Sequence, residues 1–226
     1  MNDSGLTKLE NFFSQFKLLR YRKGEVIFRA EDDPPGVFYL KQGYVRLYSL
    51  SDQGRELTFN IFKPGSYFSM MWALGGSPNG YFFEALTPVE VWRAPKDRLI
   101  EFIKKEPEVL FELTRRILVG LNGILAIMQS LLFGNGHTRV ASVLLVAAKR
   151  FGKHQKTGEV VIQLPLTHQN IASLAGLTRE TTSLVLEKME KDKLITSDHH
   201  FLTIKNIKKF EEKLLAAKED FPSDAL

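Results

Sequence analysis

The N-terminal part of the chain alternates short apolar runs with turn-forming residues. The runs are rich in β-branched and aromatic residues, as in VIFRA, ELTFNIF and VEVWRA, and they end at glycines and prolines. Examples of such ends are Lys23-Gly24, Pro34-Pro35-Gly36 and Asp52-Gln53-Gly54. Many short strands at this spacing are typical of a β-sandwich or β-barrel, so residues 17–100 are predicted to form an all-β domain.

The hydrophobic period changes at Pro95, where a helical pattern replaces the strands. The segment KDRLIEFIKKEP predicts a short helix, and Pro107 stands where proline is favoured at a helix start. A long helical pattern then runs to about Phe133, with apolar residues at alternating spacings of three and four. Such spacing predicts a seam of the coiled-coil kind. The seam residues are Leu110, Leu113, Ile117, Leu121, Ile124, Met128 and Leu131.

The apolar arc of this long helix is wider than one seam, because Leu118, Leu125 and Leu132 flank it. An arc of that width favours packing both on the β domain and on a second copy of the chain. An ordinary buried helix of a monomer is the alternative. Close approach of another backbone would explain Gly120 and Gly123, which weaken an isolated helix. Polar residues interrupt the apolar run, which predicts a buried helix and no membrane span.

The segment GNGH, residues 134–137, breaks the helical pattern and predicts a hinge. Beyond it the pattern predicts a helix (TRVASVLLVAAKRFG), a short strand (VVIQL), two helices, a β-hairpin (LITSDHHFLTIKN) and a charged helix. The two central helices, joined at Gly176, follow the helix-turn-helix pattern of small residues at the crossing and glycine in the turn. Their predicted inward positions are Ile171, Ala172, Ala175, Leu177, Val185 and Met189.

The outward face of the second helix begins with a cation beside an acid, Arg179 and Glu180. Arginine can donate two hydrogen bonds to guanine and glutamate can accept one from cytosine, so this pair suits a G·C pair in the major groove. The predicted base-reading residues are Arg179, Glu180, Ser183 and Leu184. Hydroxyls, amides and backbone N–H groups at helix starts suit phosphates. The predicted phosphate contacts are Thr167, His168, Gln169, Thr178, Thr181 and Lys188.

A solvated surface pair is the alternative for Arg179 and Glu180, and the surrounding charge bears on the choice. Residues 139–209 hold 12 Lys or Arg against 6 Asp or Glu, in a chain of 226 residues with net charge +5. This basic concentration favours a module that faces phosphates. The chain has no cysteine, which excludes disulfides, thiolate chemistry and Cys-ligated metal centres. Its start lacks a secretory signal pattern, so the cytoplasm is the expected location.

The most specific motif is LTRETTSLVLEKMEKDKLI, residues 177–195, which is close to the pattern SRETVxRxLxxLExxxLI. That pattern is typical of the Crp/Fnr family of bacterial transcription regulators, which the chain resembles over nearly its whole length. The resemblance implies an α+β fold with three parts. These are a double-stranded β-helix (jelly-roll-like) sensor domain over 1–106, a dimerisation helix over 107–134 and a winged helix-turn-helix over 138–226. It also implies a homodimer that binds a palindromic site in double-stranded DNA and contacts RNA polymerase through the loop Ser51–Leu57.

Two residues of the motif depart from the family pattern. Thr182 stands where the family often has valine, and Leu184 stands where some members place an arginine that reads a base. Leucine cannot donate a hydrogen bond, so an apolar contact with a thymine methyl group is expected there instead. In the family, the residues that match Arg179 and Glu180 read bases, which agrees with the role expected from their chemistry.

The sensor domain lacks the charges with which relatives bind a cyclic nucleotide. A Gly-Glu pair for the ribose and an Arg-Ser pair for the phosphate would fall near Ser69 and within 77–82, and the second segment contains no cation. Burying a phosphate without a cation is costly and Glu84 would add repulsion, which argues against cyclic AMP and other small anions. The predicted pocket residues are Phe68, Met70, Met71, Trp72, Tyr81, Phe82, Ile124 and Leu125. They either fill the roll themselves or line a site for a neutral, apolar effector.

No cofactor, metal site or catalytic motif is predicted. The histidines lie at position 137 or beyond, outside the β domain, and zinc sites need three or four ligands. The sequence has no Walker loop, G-x-S-x-G or H-E-x-x-H pattern, so an enzyme is not expected. The prediction is a dimeric, sequence-specific regulator of transcription whose signal is unknown or absent. A ligand-binding regulatory module that acts through protein contacts is the alternative.

Overall fold

The structure is a computed structural model that describes residues 4–155 and 158–219. The chain divides into two compact units, Met1–Gly120 and Leu121–Leu226. The predicted α+β fold is confirmed: an antiparallel β-roll is followed by a long helix and a helix-turn-helix with a β-hairpin. Residues 220–226 of the predicted DNA-binding domain lie outside the described residues.

The first unit consists of short strands with helices before, between and after them. In chain order the elements are α1 (Ser4–Ser14), β1 (Lys17–Tyr21), β2 (Val26–Phe28), β3 (Val37–Gln42), β4 (Val45–Leu50), β5 (Glu56–Phe62), β6 (Tyr67–Phe68), α2 (Met70–Gly75), β7 (Phe82–Ala85), β8 (Val89–Ala94) and α3 (Lys96–Lys105). Helix α4 (Pro107–Phe133) begins in this unit and continues into the second one. The strands form two antiparallel sheets, ordered β1-β8-β3-β6 and β2-β7-β4-β5. The short helices α1 and α2 were not predicted, whereas α3 and α4 were.

Strand β3 shows how alternation divides the core of the roll into two clusters. Phe38 and Leu40 point to one face of their sheet and join the cluster that packs against the other sheet. Val37 and Tyr39 point to the opposite face, where they pack against residues of α1, α3 and the start of α4. At the tight turn after β3, Gly43 has φ of 88°, and a Cβ there would lie 2.3 Å from the carbonyl oxygen of Pro88. Only glycine fits this turn.

Helix α4 has the bounds that the sequence predicts, but its surface differs from the prediction. Val109 and Leu113 are buried against the roll, so Leu113 does not belong to an exposed seam. Large apolar side chains remain exposed on more than one side of the helix. Those along one side, here called the exposed stripe, are Leu110, Ile117, Leu121, Ile124, Met128 and Leu132. Most of the described helix is therefore exposed, unlike the ordinary buried helix of a monomer that was the alternative.

The length and composition of α4 would also allow it to cross a bilayer. Its most apolar window has a mean hydropathy of 1.7, and 6% of that window is buried within the chain. The interior of a multi-chain protein produces the same signature, so hydropathy alone does not distinguish a membrane span from a protein interface.

After the end of α4, the described part of the second unit contains four helices and a small sheet. Its elements are α5 (Gly136–Phe151), β9 (Gly152–His154), β10 (Val160–Ile162), α6 (His168–Ala175), α7 (Arg179–Lys191), β11 (Ile195–Asp198), β12 (Phe201–Ile204) and α8 (Ile207–Glu219). The sheet is antiparallel with the order β11-β12-β10-β9. The sequence predicted all of these elements except the short strand β9.

The break between α4 and α5 falls at Gly134, as predicted, and its backbone is densely hydrogen-bonded. The N–H of Gly134 donates to the carbonyl of Ser130 at 2.8 Å, and a Cβ at Gly134 would lie 2.3 Å from that oxygen. The side chain of Asn135 caps α5 by accepting from the N–H of Thr138 at 3.0 Å. Arg139 Nε donates to the carbonyl of Gly134 at 2.9 Å. The predicted hinge is thus a specific, tightly bonded turn.

Candidate nucleic-acid interface

The helix-turn-helix is formed by α6 and α7, which meet at a left-handed turn. Gly176 has φ of 60° and ends α6, and its N–H donates to the carbonyl of Ala172. Ala172 and Ala175 are buried where the helices cross, as the small-residue pattern predicts. Leu177 follows the turn and is half-buried. The predicted turn and crossing are therefore confirmed.

The inward face of α7 differs from the prediction by one position. Thr182, Leu186 and Met189 are the buried residues, whereas Val185 is only half-buried. Spacings of four and three place these buried residues on one side of a helix. The sequence did not reveal this buried face because one of its members, Thr182, is polar. The apolar Val185 indicated a neighbouring face of the helix instead.

Threonines cap both helices of the motif. Thr167 Oγ1 accepts from the N–H of Asn170 at 3.1 Å, and the Asn170 side chain accepts from the N–H of Thr167 at 3.0 Å. At the start of α7, Thr178 Oγ1 accepts from the N–H of Thr181 at 3.2 Å. These reciprocal bonds satisfy donors that a helix start leaves free. The threonines predicted to contact phosphates thus also hold the helix starts in place.

The outward face of α7 carries the residues predicted to read bases. Arg179, Glu180 and Leu184 are exposed, and Leu184 is the most apolar of these side chains. Ser183 is half-buried, and Lys188 is exposed further along the helix. Arg179 and Glu180 occupy the first turn, where a recognition helix presents its side chains to base edges. The geometry brings a donor, an acceptor and an apolar group together on one accessible surface.

A hydrogen bond between side chains links the two helices beside this surface. His168, the first residue of α6, has Nδ1 at 2.7 Å from Ser183 Oγ on α7. The hydroxyl of Ser183 in turn donates to the carbonyl of Arg179 at 2.9 Å. Gln169, the remaining predicted phosphate contact, is exposed next to His168. The sequence placed these residues at the same surface but did not indicate the bond between them.

A β-hairpin of the kind found in winged helices follows α7. Strands β11 and β12 pair antiparallel, with Asp198 opposite Phe201, and His199 and His200 form the turn with φ of 44° and 74°. Two successive positive φ values are typical of the turns that match strand twist in a two-residue hairpin. The carbonyl of His200 accepts from the N–H of Leu166 at 2.9 Å, which attaches the turn to the segment before α6. The predicted position of the histidines in the hairpin turn is confirmed.

The residues predicted to line an effector pocket are distributed over several places. Phe68 is buried in the cluster between the sheets and Tyr81 packs against it. Met70 and Trp72 pack instead against the helix-covered cluster. The Phe82 ring stacks on Tyr48 at 5.2 Å. Met71 is 61% exposed, and Ile124 and Leu125 are about half exposed. Within the described residues, the predicted pocket residues that belong to the roll do not line a single pocket. Helix α2 and the alternation of side chains along β7 turn neighbouring residues in opposite directions.

The roll contains a buried ion cluster that the sequence did not predict. Arg46 on β4 is 7% exposed and lies directly across from Glu84 on β7. Its guanidinium donates to Glu56 at 2.6 Å and to Glu84 at 2.8 Å. Burial opposes the charge of Arg46, but its hydrogen bonds to both carboxylates outweigh this effect and raise the pKa of the guanidinium. Glu84 is therefore paired with a buried arginine, which the sequence did not show.

A β-roll, a long apolar helix and a winged helix-turn-helix in one chain define a class of DNA-binding regulators. The model of the cyclic nucleotide-binding domain matches residues 18–106, and that of the Crp-like helix-turn-helix domain matches residues 138–213. The chain belongs to the Crp/Fnr family, and it is a DNA-binding transcription regulator.

Known proteins of this family are similar over most of the chain. The transcriptional activatory protein AadR of Rhodopseudomonas palustris is 30% identical over 194 residues, covering 82% of this chain and 76% of that protein. The global nitrogen regulator of a Nostoc species is 27% identical over 186 residues, covering 81% and 83%. A CRP/FNR-family transcriptional regulator of Thermus thermophilus has a similar structure, with a TM-score of 0.70 and 25% identity over 89% of this chain and 100% of that one. All three are named as regulatory or activatory proteins.

Proposed function

We propose that the protein acts as a homodimer in the cytoplasm and reads a palindromic site in double-stranded DNA through α7. The observation that carries this proposal is the division of α7 into two faces. Thr182, Leu186 and Met189 bury one face, and the opposite face exposes Arg179 and Leu184 at the start of the helix. A helix anchored along one side and open along the other can enter a major groove.

The readout proposal is tested by selecting preferred DNA sequences with the wild-type protein and with two variants. Arg179→Ala should lose about 1–3 kcal/mol of binding at one G·C pair and relax the preference there. Lys188→Ala is the matched control, since an exposed lysine that contacts phosphate weakens binding evenly across sequences and reduces its salt dependence. An unchanged sequence preference in Arg179→Ala would show that the helix is oriented differently.

The homodimer proposal rests on the exposed stripe of α4. An apolar surface of this length needs a partner if it is to leave water, and its spacings of three, four and seven suit a second copy of the same helix. Two-fold symmetry of such a dimer would match a palindromic DNA site. Burial of α4 against a second copy would also explain why its mean hydropathy resembles that of a membrane span.

Light scattering of neighbouring substitutions on α4 tests this dimer. Leu121→Glu places a charge within the stripe and should give a monomer, because two carboxylates would face each other in an apolar seam. Asn122→Glu adds the same charge one position further along, on a residue that is exposed outside the stripe, and should remain dimeric. A monomeric wild-type protein at micromolar concentration, or a dimer in both variants, would contradict the proposal.

For the signal, we propose that the sensor domain does not respond to a cyclic nucleotide. Residues 77–82, where relatives hold the phosphate, contain no cation. Arg46, which is buried in the roll, is already bonded to Glu56 and Glu84, so its charge is not free to bind a phosphate. The roll either has no effector or binds a neutral, largely apolar one.

A contact with RNA polymerase is proposed for the loop between β4 and β5. The loop is closed by the N–H of Ser51, which donates to the carbonyl of Arg55 at 2.9 Å, and the Arg55 side chain is exposed. Arg55→Glu should lower activation in transcription assays without changing DNA affinity. Equal activation by this variant would exclude the contact.

The alternative function is a regulatory module that acts through protein contacts alone. Such a module would show no salt-dependent DNA binding.

A further inference from the structure

The bond between His168 and Ser183 has a definite direction. A serine hydroxyl carries one proton, and that of Ser183 is donated to the carbonyl of Arg179, four residues earlier in α7, at 2.9 Å. A carbonyl can only accept. With the proton on that carbonyl, the geometry assigns the acceptor role at the 2.7 Å contact to the Ser183 oxygen and the proton of that bond to His168 Nδ1.

We infer that His168 is a positioning residue: by donating to the Ser183 oxygen it keeps the hydroxyl proton on the Arg179 carbonyl, holds Ser183 as an acceptor, and so sets the base preference of α7 at one position. This inference rests on the proposed function, in which α7 enters the major groove. A free serine can donate to a base or accept from one and therefore discriminates weakly. The Ser183 proton is donated to the backbone carbonyl of Arg179, and one lone pair of its oxygen accepts from His168. Ser183 can therefore offer a DNA base only its remaining lone pair.

The base that faces Ser183 is then restricted to those with a donor in the major groove. Adenine presents its N6 amino group and cytosine its N4 amino group, whereas guanine and thymine present acceptors at the corresponding place. Two acceptors repel, so the preference is for adenine or cytosine. The gain over guanine or thymine should be about fivefold, which corresponds to one neutral hydrogen bond.

A phosphate contact is the simpler role for His168, and it makes a different prediction. His168 is exposed at the start of α6, where histidine can reach the DNA backbone through Nε2. A phosphate contact contributes equally on every sequence. A role through Ser183 changes which base is preferred at one position and requires Ser183 to be present.

The direction of the bond can be measured without DNA. In protein with ¹⁵N-labelled histidine at about pH 8, where an ordinary imidazole is neutral, long-range NMR correlations identify which ring nitrogen carries the proton. The His168 signals are assigned by their disappearance in His168→Asn. We expect the proton on Nδ1, although free imidazole side chains favour Nε2. A proton on Nε2 would overturn the inference.

The effect on base preference is measured by competition among half-sites that differ only at the base facing Ser183. His168→Ala and Ser183→Ala should each remove the fivefold preference, and the double variant should behave like either single one. His168→Asn keeps an N–H donor at the position of Nδ1 and should restore the preference. His168→Gln places its donor near the position of Nε2 and should not. Thermal melting confirms that each variant is folded.

Three results would refute the role in specificity. The first is an equal loss of affinity on all DNA sequences in His168→Ala. The second is an unchanged base preference in Ser183→Ala. The third is a base preference that His168→Gln restores and His168→Asn does not. A wild-type protein without sequence-specific DNA binding would refute the proposed function and the specificity role together. In that case the NMR result would still decide whether His168 donates to Ser183.

Discussion

Thr182 lies in the packed face of α7, and its hydroxyl lacks a hydrogen bond. The residue is 0% exposed, and among the described residues Oγ1 has no hydrogen-bond partner. A buried hydroxyl without a partner loses its bonds to water on folding and gains none in return, which costs about 1–3 kcal/mol. Replacement by valine keeps the shape of the side chain and exchanges this hydroxyl for a methyl group.

Thr182→Val should therefore stabilise the DNA-binding domain by about 1–3 kcal/mol. Helix propensity does not offset this gain, because threonine and valine are nearly equal in a helix interior. One kilocalorie per mole raises the melting temperature of a domain of this size by roughly 4–8 °C. The measurement is thermal and urea unfolding followed by circular dichroism, with the transition of the second unit analysed separately.

Thr181→Val is the matched control, one residue earlier in the same helix. Thr181 is exposed and its hydroxyl lies 3.0 Å from that of Thr178, so valine at this position should bring no gain. Loss of stability in Thr182→Val by about 1 kcal/mol or more, relative to the control, would show that the buried hydroxyl has a partner, such as an internal water. It would also refute the argument that Thr182 is buried in α7 with an unsatisfied hydroxyl.

The other predictions concern a turn, an ion pair and the signal. Gly134→Ala should destabilise the second unit by more than about 1 kcal/mol because its Cβ would lie 2.3 Å from a carbonyl oxygen. Gly120→Ala should stabilise α4 by about 1 kcal/mol, because its Cβ would have no described atom within 4 Å apart from its chain neighbours and the nearby backbone of its own helix. Unfolding by urea distinguishes the two variants. The hydrogen bond from Arg115, with that from Arg116, lowers the pKa of Glu112 from 4.5 to about 2. Its contribution to stability should be complete above pH 4.5 and lost as the pH falls through about 2, and the unfolding difference between wild type and Glu112→Gln should disappear over that range. Cyclic AMP at saturating concentration should not raise the melting temperature, although a ligand at a hundred times its Kd would add about 2.7 kcal/mol.

The sequence predicted the elements with strong local signals. Helix α4 begins at Pro107 and ends before Gly134, because a favoured first residue and a required glycine mark its ends. The hairpin at His199 and the turn at Gly176 were equally visible. Helix α2 was missed because six residues, Met70–Gly75, are too few to show a helical period within an apolar segment.

The sequence pattern could not predict which residues far apart in the chain pair with each other. Arg46 and Glu84 are 38 positions apart, and only the register of β4 and β7 places them opposite each other. Glu84 alone therefore looked like an obstacle to anion binding, whereas in the fold it neutralises a buried arginine. The bond between His168 and Ser183 is of the same kind, since the crossing of two helices sets the distance between them.

Helix α4 shows why an apolar pattern does not identify the surface that covers it. Leu113 and Ile117 are one turn apart on the same predicted seam, yet the roll buries Leu113 and leaves Ile117 exposed. A helical arc wider than about 100° can face two surfaces, and the pattern records only that each residue is apolar. Leu113 belongs to the core of the sensor unit, so its substitution reports on folding. Substitutions on the exposed stripe, such as Leu121→Glu, should instead test the proposed dimer while leaving each unit folded.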